Sequence, residues 1–171
     1  WAKLNNLKQA AKTMNFLTEH GISSYGELES KLAAVSARRD TAHAEIKRIE
    51  TRSAELALVM KHAGTYRQLK PLYDRYRKSN DKEKFLRGHE SEIILFEAAA
   101  RELKRLGAVP LPTTESMKTE LANLNAEKER LLAEYKAART EAQEYDTVKQ
   151  NVDALLTVPK EQEQQRRHEL E

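Results

Sequence analysis

The sequence predicts an all-α protein: an elongated helical domain in which two long heptad helices form a coiled coil, with shorter helices packed beside them. Three observations predict this class. Leu28, Leu32, Val35, Arg39, Ala42, Ile46, Ile49, Ser53, Leu56, Met60 and Ala63 follow a strict 4-3 spacing, and all but Arg39 and Ser53 are apolar or alanine. An apolar residue every 3.5 positions keeps one face of a helix toward a partner helix. A second near-heptad series runs through Met117, Leu121, Leu124, Lys128, Leu131, Tyr135, Ala138, Ala142, Tyr145, Val152 and Leu155. Finally, charged residues make up 33% of the chain, aromatics 6%, and only five glycines and four prolines interrupt it. That balance suits long helices with much surface and a thin core.

The elements follow in order. Residues 3–19 predict a first helix with Leu4, Leu7, Ala11, Met14 and Leu17 or Thr18 on its inward face, ended by His20-Gly21. Ser24 with Glu27 three residues on is a capping-box pattern, so a long helix starts near Tyr25 and runs to Met60 or beyond. Gly64 and Pro71 predict a kink or short break near Lys70-Pro71, since proline lacks a donor and crowds the preceding turn. Helix resumes through Leu72, Tyr73 and Tyr76 and stops at Lys78-Ser79-Asn80. Asp81 caps a helix that runs to about Leu106, with Phe85, Ile93, Ile94, Phe96 or Glu97, Ala100 and Leu103 inward and Gly107 as terminator. Residues 108–112, with prolines at 110 and 112, form an extended connector. Thr113 or Thr114 caps the last long helix, which is expected to end at Val158-Pro159. The organisation expected is therefore a helical coiled-coil domain over 1–158 and a polar tail over 159–171, frayed helix or disordered. The two heptad helices can pair antiparallel within one chain, and a homodimer pairing equivalent helices is the alternative.

Net charge is +3, but it is unevenly spread. Residues 66–88 carry eight Lys or Arg against three acids, whereas residues 89–171 carry twelve against seventeen. The middle of the chain is thus a positive patch between weaker flanks. There is no cysteine, so disulfide and thiolate chemistry are excluded. No apolar run approaches the roughly 18 residues of a membrane span, and no signal peptide is visible, so no membrane insertion and a cytoplasmic setting are expected. The chain starts at Trp1 inside a helical pattern, which reads as a piece of a longer protein.

Chemistry is sparse. His20, His43, His62, His89 and His168 form no ligand motif, so no metal site is expected, and no cofactor either. Glu127, Glu134 and Glu141 share one flank of the last helix, as a solvated ion-pairing face would. Scattered glycines build no phosphate loop. The strongest candidate is the stretch holding Tyr66, Arg67, Lys70, Tyr73, Arg75, Tyr76, Arg77, Lys78, Lys82, Lys84, Phe85 and Arg87. Cations that neutralise phosphates, interleaved with rings that stack on unpaired bases, are the ingredients of single-strand binding. The competing reading makes the rings the filling of a helical turn and the cations its wet rim.

Three runs carry a family resemblance. They are Tyr66-Arg67-Gln68-Leu69-Lys70-Pro71-Leu72-Tyr73, the stretch Lys82-Glu83-Lys84-Phe85-Leu86-Arg87-Gly88-His89-Glu90 continuing to Ala99, and Trp1-Ala2-Lys3-Leu4-Asn5-Asn6-Leu7 continuing to Thr13. Together with the tail from Val158 to Glu163, they resemble the C-terminal region of relaxase/mobilisation nucleases of conjugative and integrative elements in Gram-positive bacteria. The resemblance implies a parent that nicks DNA at an origin of transfer with a tyrosine and a histidine-held metal, in a domain upstream of this segment. No histidine pair or triad accompanies the tyrosines here, so no catalytic residue carries over and this segment is not expected to be an enzyme. The function expected is a non-catalytic helical module assisting DNA mobilisation. Its partners would be single-stranded or origin-of-transfer DNA, conjugation machinery proteins, or both. The alternative is a coiled-coil dimerisation or interaction arm with no DNA contact.

Overall fold

The computed structural model describes residues 2–168, and the side chains of 6–157 among them. Those residues form four α-helices and no strand: α1 (Ala2–Glu19), α2 (Tyr25–Lys78), α3 (Lys82–Arg105) and α4 (Thr114–His168). The all-α class is as the sequence predicts. Two compact units are present, one built from residues 1–44 with 131–171 and one from residues 45–130.

The ends of α1 and α3 and the starts of α2, α3 and α4 form where the sequence places them. Ile22 N–H donates to the Leu17 carbonyl at 2.8 Å and Gly21 N–H to Thr18 at 3.1 Å, with Gly21 at φ +61°. The same pair of bonds closes α3, from Ala108 to Leu103 and from Gly107 to Lys104, with Gly107 at φ +69°. A left-handed residue lets the chain turn back onto the last carbonyls, and glycine adopts it without a Cβ clash. At the start of α2, Ser24 Oγ accepts from Glu27 N–H. The Glu27 carboxylate reaches back one residue further than a capping box requires, accepting from Ser23 N–H at 2.7 Å and Ser23 Oγ at 2.9 Å. Asp81 and Thr113 cap α3 and α4 by accepting from Lys84 and Ser116 N–H.

Within the first unit, Leu28, Val35, Ala142, Tyr145 and Val148 are buried together, with Phe16, Leu17, Ile22, Leu32 and Val152 against them. Phe16 meets Tyr145 edge-on at 5.1 Å and stacks on His20 at 3.9 Å. Here α2 and α4 run antiparallel: Tyr25 bonds Asp153, Lys149 lies 3.8 Å from Glu29, and Arg38 pairs with Glu141. Within the second unit, Leu56, Val59, Ala63, Leu103, Ala108 and Met117 form the core, joined by Met60, Tyr66, Leu106, Leu111, Leu121 and Leu124. Antiparallel pairing holds there too, from Lys128–Glu50 at 2.7 Å to Arg52–Glu120 at 2.7 Å. All eleven positions of the α2 series are buried or half-buried, Arg39 and Ser53 included. Each fully buried Leu, Ile or Val contributes about 1.5–3 kcal/mol relative to exposure.

Several expectations give way. α2 runs without a break through Gly64 and Pro71. α4 likewise continues past Val158-Pro159 to His168, and residues 169–171 of the expected tail lie outside the described residues. A proline costs a helix one hydrogen bond and local crowding, about 3 kcal/mol, but the bonds on either side remain. In α3 the inward residues are Ile93, Phe96, Ala99 and Leu103, while Ile94 is 55% exposed. In α4, Val148 takes an inward place the heptad series omitted and Leu155 is exposed. The largest departure is α1. Of its expected inward face Leu17 packs on the core, but Leu7 is 68% and Met14 60% exposed, Ala11 is exposed too, and Thr13 is buried at 2%, while the side chain of Leu4 lies outside the described residues. Thr13 accepts from Asn151 of α4 at 3.1 Å, so α1 docks through a polar pair flanked by Ala10, Phe16 and Leu17.

Candidate nucleic-acid interface

The candidate residues lie on the last turns of α2 and the first turns of α3, all inside the second unit. The fold divides them into three groups. The rings turn toward each other. Tyr66 and Tyr73 stack on Phe96 of α3 at 4.8 and 4.1 Å, and Tyr76 lies 5.9 Å from Tyr73 and 6.1 Å from Phe85. The Tyr73 hydroxyl donates to the Glu97 carboxylate at 3.3 Å, and burial, then that carboxylate, pushes the phenol pKa up. Tyr66, Tyr73, Tyr76 and Phe85 are all half-buried. Offset aromatic pairs of this kind contribute about 0.5–1.5 kcal/mol beyond their burial, which fixes α3 on α2.

Two cations have partners in the fold. Arg67 donates to the Thr114 hydroxyl at 2.7 Å and to the Pro112 carbonyl, strapping the connector that enters α4. Lys70 pairs with Asp74 at 2.9 Å, and that hydrogen bond raises its pKa. The six others, Arg75, Arg77, Lys78, Lys82, Lys84 and Arg87, are exposed and have no acidic partner among the described residues.

Their placement is electrostatically uneven. Arg75, Arg77 and Lys78 sit in the last turn of α2, where the helix dipole favours cations. Lys82 and Lys84 sit in the first turn of α3, where the dipole opposes them and Asp81 and Glu83 compensate, and Arg87 follows in the next turn. A shallow cleft at this turn is lined by Ser79, Asp81, Lys84, Phe85, Gly88 and His89. His89 has non-helical φ −141° and ψ 27°, so α3 bends there. Its Nδ1 makes no hydrogen bond, and the Glu92 carboxylate stands 3.6 Å away. The Glu92 carboxyl is held below its ordinary range by its own backbone N–H and the Ser91 hydroxyl.

The arrangement suits electrostatic contact with an extended polyanion. Stacking on bases is less available to rings already stacked on one another. The sequence identified the cation cluster but not Phe96 and Glu97 as the partners that hold its rings; the signal was their place on the apolar side of α3, one helix away. Among the described residues, no group of three or more His, Cys, Asp or Glu is placed to hold a metal, and no helix is long and apolar enough to cross a membrane. No family model, curated protein or solved structure matches the chain.

Proposed function

We propose that this chain is a non-catalytic helical module that contacts DNA through phosphates at the α2–α3 turn, serving a relaxase in DNA mobilisation. The observation that carries the DNA contact is the set of six exposed cations without partners among the described residues, two of them, Lys82 and Lys84, held against the α3 dipole. Charges that only stabilised the helices would favour the last turn of α2 and avoid the first turn of α3. The relaxase assignment rests on the sequence runs alone. Because the rings are engaged within the fold, binding is expected to tolerate sequence and to accept both single strands and duplex.

Fluorescence anisotropy with labelled single-stranded and duplex DNA at low salt tests this. Reversing Arg75, Arg77 and Lys82 to Glu is expected to abolish binding with helicity unchanged, since exposed charges matter little to folding. Each removed contact should also reduce the salt slope by about 0.7–0.9. Equal binding by the folded triple variant would remove the phosphate reading and leave the second one, a protein-interaction arm without DNA contact. That reading draws on the exposed apolar stripe of α1.

A further inference from the structure

His89 sits beside the cation cluster in an unusual state. Its Nδ1 is buried and has no hydrogen-bond partner among the described residues. A buried polar atom left unpaired gives up its water and gains nothing in return, so its position calls for a reason. Glu92 Oε1 stands 3.6 Å away, just beyond hydrogen-bond reach. Ser91 Oγ donates to the other carboxylate oxygen, Oε2, at 2.9 Å, so Oε1 is the one turned toward the ring. One turn earlier, the Phe85 ring lies 4.8 Å from the imidazole. Asp81 and Lys84 line the shallow cleft with His89, and from α2 Tyr76 approaches Phe85 at 6.1 Å.

The His89–Glu92 pair has two charge states. Histidine is the side chain that changes charge between about pH 5 and 8. Glu92 stays ionised through that range, because its own backbone N–H and the Ser91 hydroxyl hold its carboxyl low. Asp81 and Lys84 carry opposite signs and offset each other across the cleft, and tyrosine is neutral over the same range. With His89 neutral, the pair therefore keeps one negative charge on the helix that carries Lys82, Lys84 and Arg87. With His89 protonated, Nδ1–H can donate to Oε1, the orphaned nitrogen gains a partner, and the pair becomes neutral. His89 also marks the bend of α3, so the closed pair ties the turns that bear the cations to the length that stacks on α2. We propose that His89 makes phosphate contact at the α2–α3 turn proton-linked: binding draws a proton from solvent onto His89, and DNA is held more tightly as pH falls from about 8 to about 5.5. The proposal rests on the phosphate reading of this turn.

The test is anisotropy with labelled duplex DNA and the whole chain, at one low salt concentration, from pH 8 to pH 5.5. The parent should gain about threefold in affinity toward pH 5.5, the size expected of a half-exposed charge pair. His89→Gln should stay near the parent's pH 8 affinity throughout. His89→Lys, which carries its charge at every pH used, should bind throughout as the parent does at pH 5.5. Glu92→Gln should bind more tightly than the parent at pH 8, which loss of a merely structural acid would not produce. His20, His43 and His62 remain in every variant, so their titration cannot create a difference between them. An equal gain in His89→Gln, or a parent affinity that ignores pH, would overturn the proton link and leave the phosphate reading standing. No binding by the parent at any pH would overturn both. Circular dichroism at both ends of the range checks folding. Should His89→Gln lose helicity, folded His89→Lys decides: binding that still varies with pH overturns the proposal.

Discussion

At the scale of single residues, one small network ties α2 to α4 in the first unit. Tyr25 donates to Asp153 at 2.6 Å, Lys149 bonds Asp153 at 3.2 Å, and the Lys149 ammonium lies 5.2 Å from the Tyr25 ring. The Tyr25 hydroxyl and then Lys149 hold the Asp153 carboxyl below its ordinary range, and Tyr25 and then Asp153 raise Lys149. Glu27 is lowered in the same way by Ser23 N–H. A depressed carboxyl stabilises the fold fully above its unfolded pKa of about 4, and that contribution disappears as pH falls through the lower folded value. The raised Lys149 acts at the other end, its contribution fading only as pH climbs above about 10. Tyr25→Phe should therefore lower the melting temperature at pH 7, and the gap from the parent should shrink as pH falls well below 4. Melts followed by circular dichroism at pH 7, 4 and 2.5 check this. A gap that stays constant across that range would show the hydroxyl acts through packing and not through the carboxylate.

At the scale of elements, the readable part was the repeat and its punctuation. The 4-3 series of α2 lies inward along its length, and Gly21, Gly107, Ser24, Asp81 and Thr113 mark helix ends as their chemistry requires. What escaped was of two kinds. The direction of a stripe is not in the stripe: α1 has an apolar edge, but docking through Thr13 is decided by Asn151 far along the chain. Likewise the basic stretch was visible as composition, while the fate of its rings depended on Phe96 in another helix. The second kind is the proline, read as a break because its local cost is certain and the gain from continuing the helix is not local. α2 carries that cost at Pro71, which is exposed, and a smaller one at Gly64, where an added Cβ would meet nothing within 4 Å. Both can be recovered. Gly64→Ala should stabilise by about 0.5–1 kcal/mol and Pro71→Ala by up to about 3 kcal/mol. Urea titrations of the two variants measure this directly. A destabilised Pro71→Ala would mean that the proline-shaped backbone is needed to place Tyr66 and Tyr73 on Phe96.

At the scale of the whole molecule, the question left by the repeat is whether the seams pair within one chain or between two. Both units answer it alike, each by its own contacts. In the first, Val35, Ala42, Ala138, Ala142 and Tyr145 are buried by residues of the same chain; in the second, Leu56, Val59, Ala63 and Met117 are. Alanine at 42, 63, 138 and 142, each 4% exposed or less, leaves no width at those levels for further helices to enter. Two of the three polar seam residues are likewise paired inside the chain, Lys128 with Glu50 and Arg39 with Asp40. A homodimer through equivalent α2 or α4 seams would have to open these cores and give up their burial before gaining its own. The expected state is therefore a monomer of 19.6 kDa, with a light-scattering mass that does not change on dilution. A mass that doubles with concentration would place the long seams between chains and exchange α4 for a partner's helix.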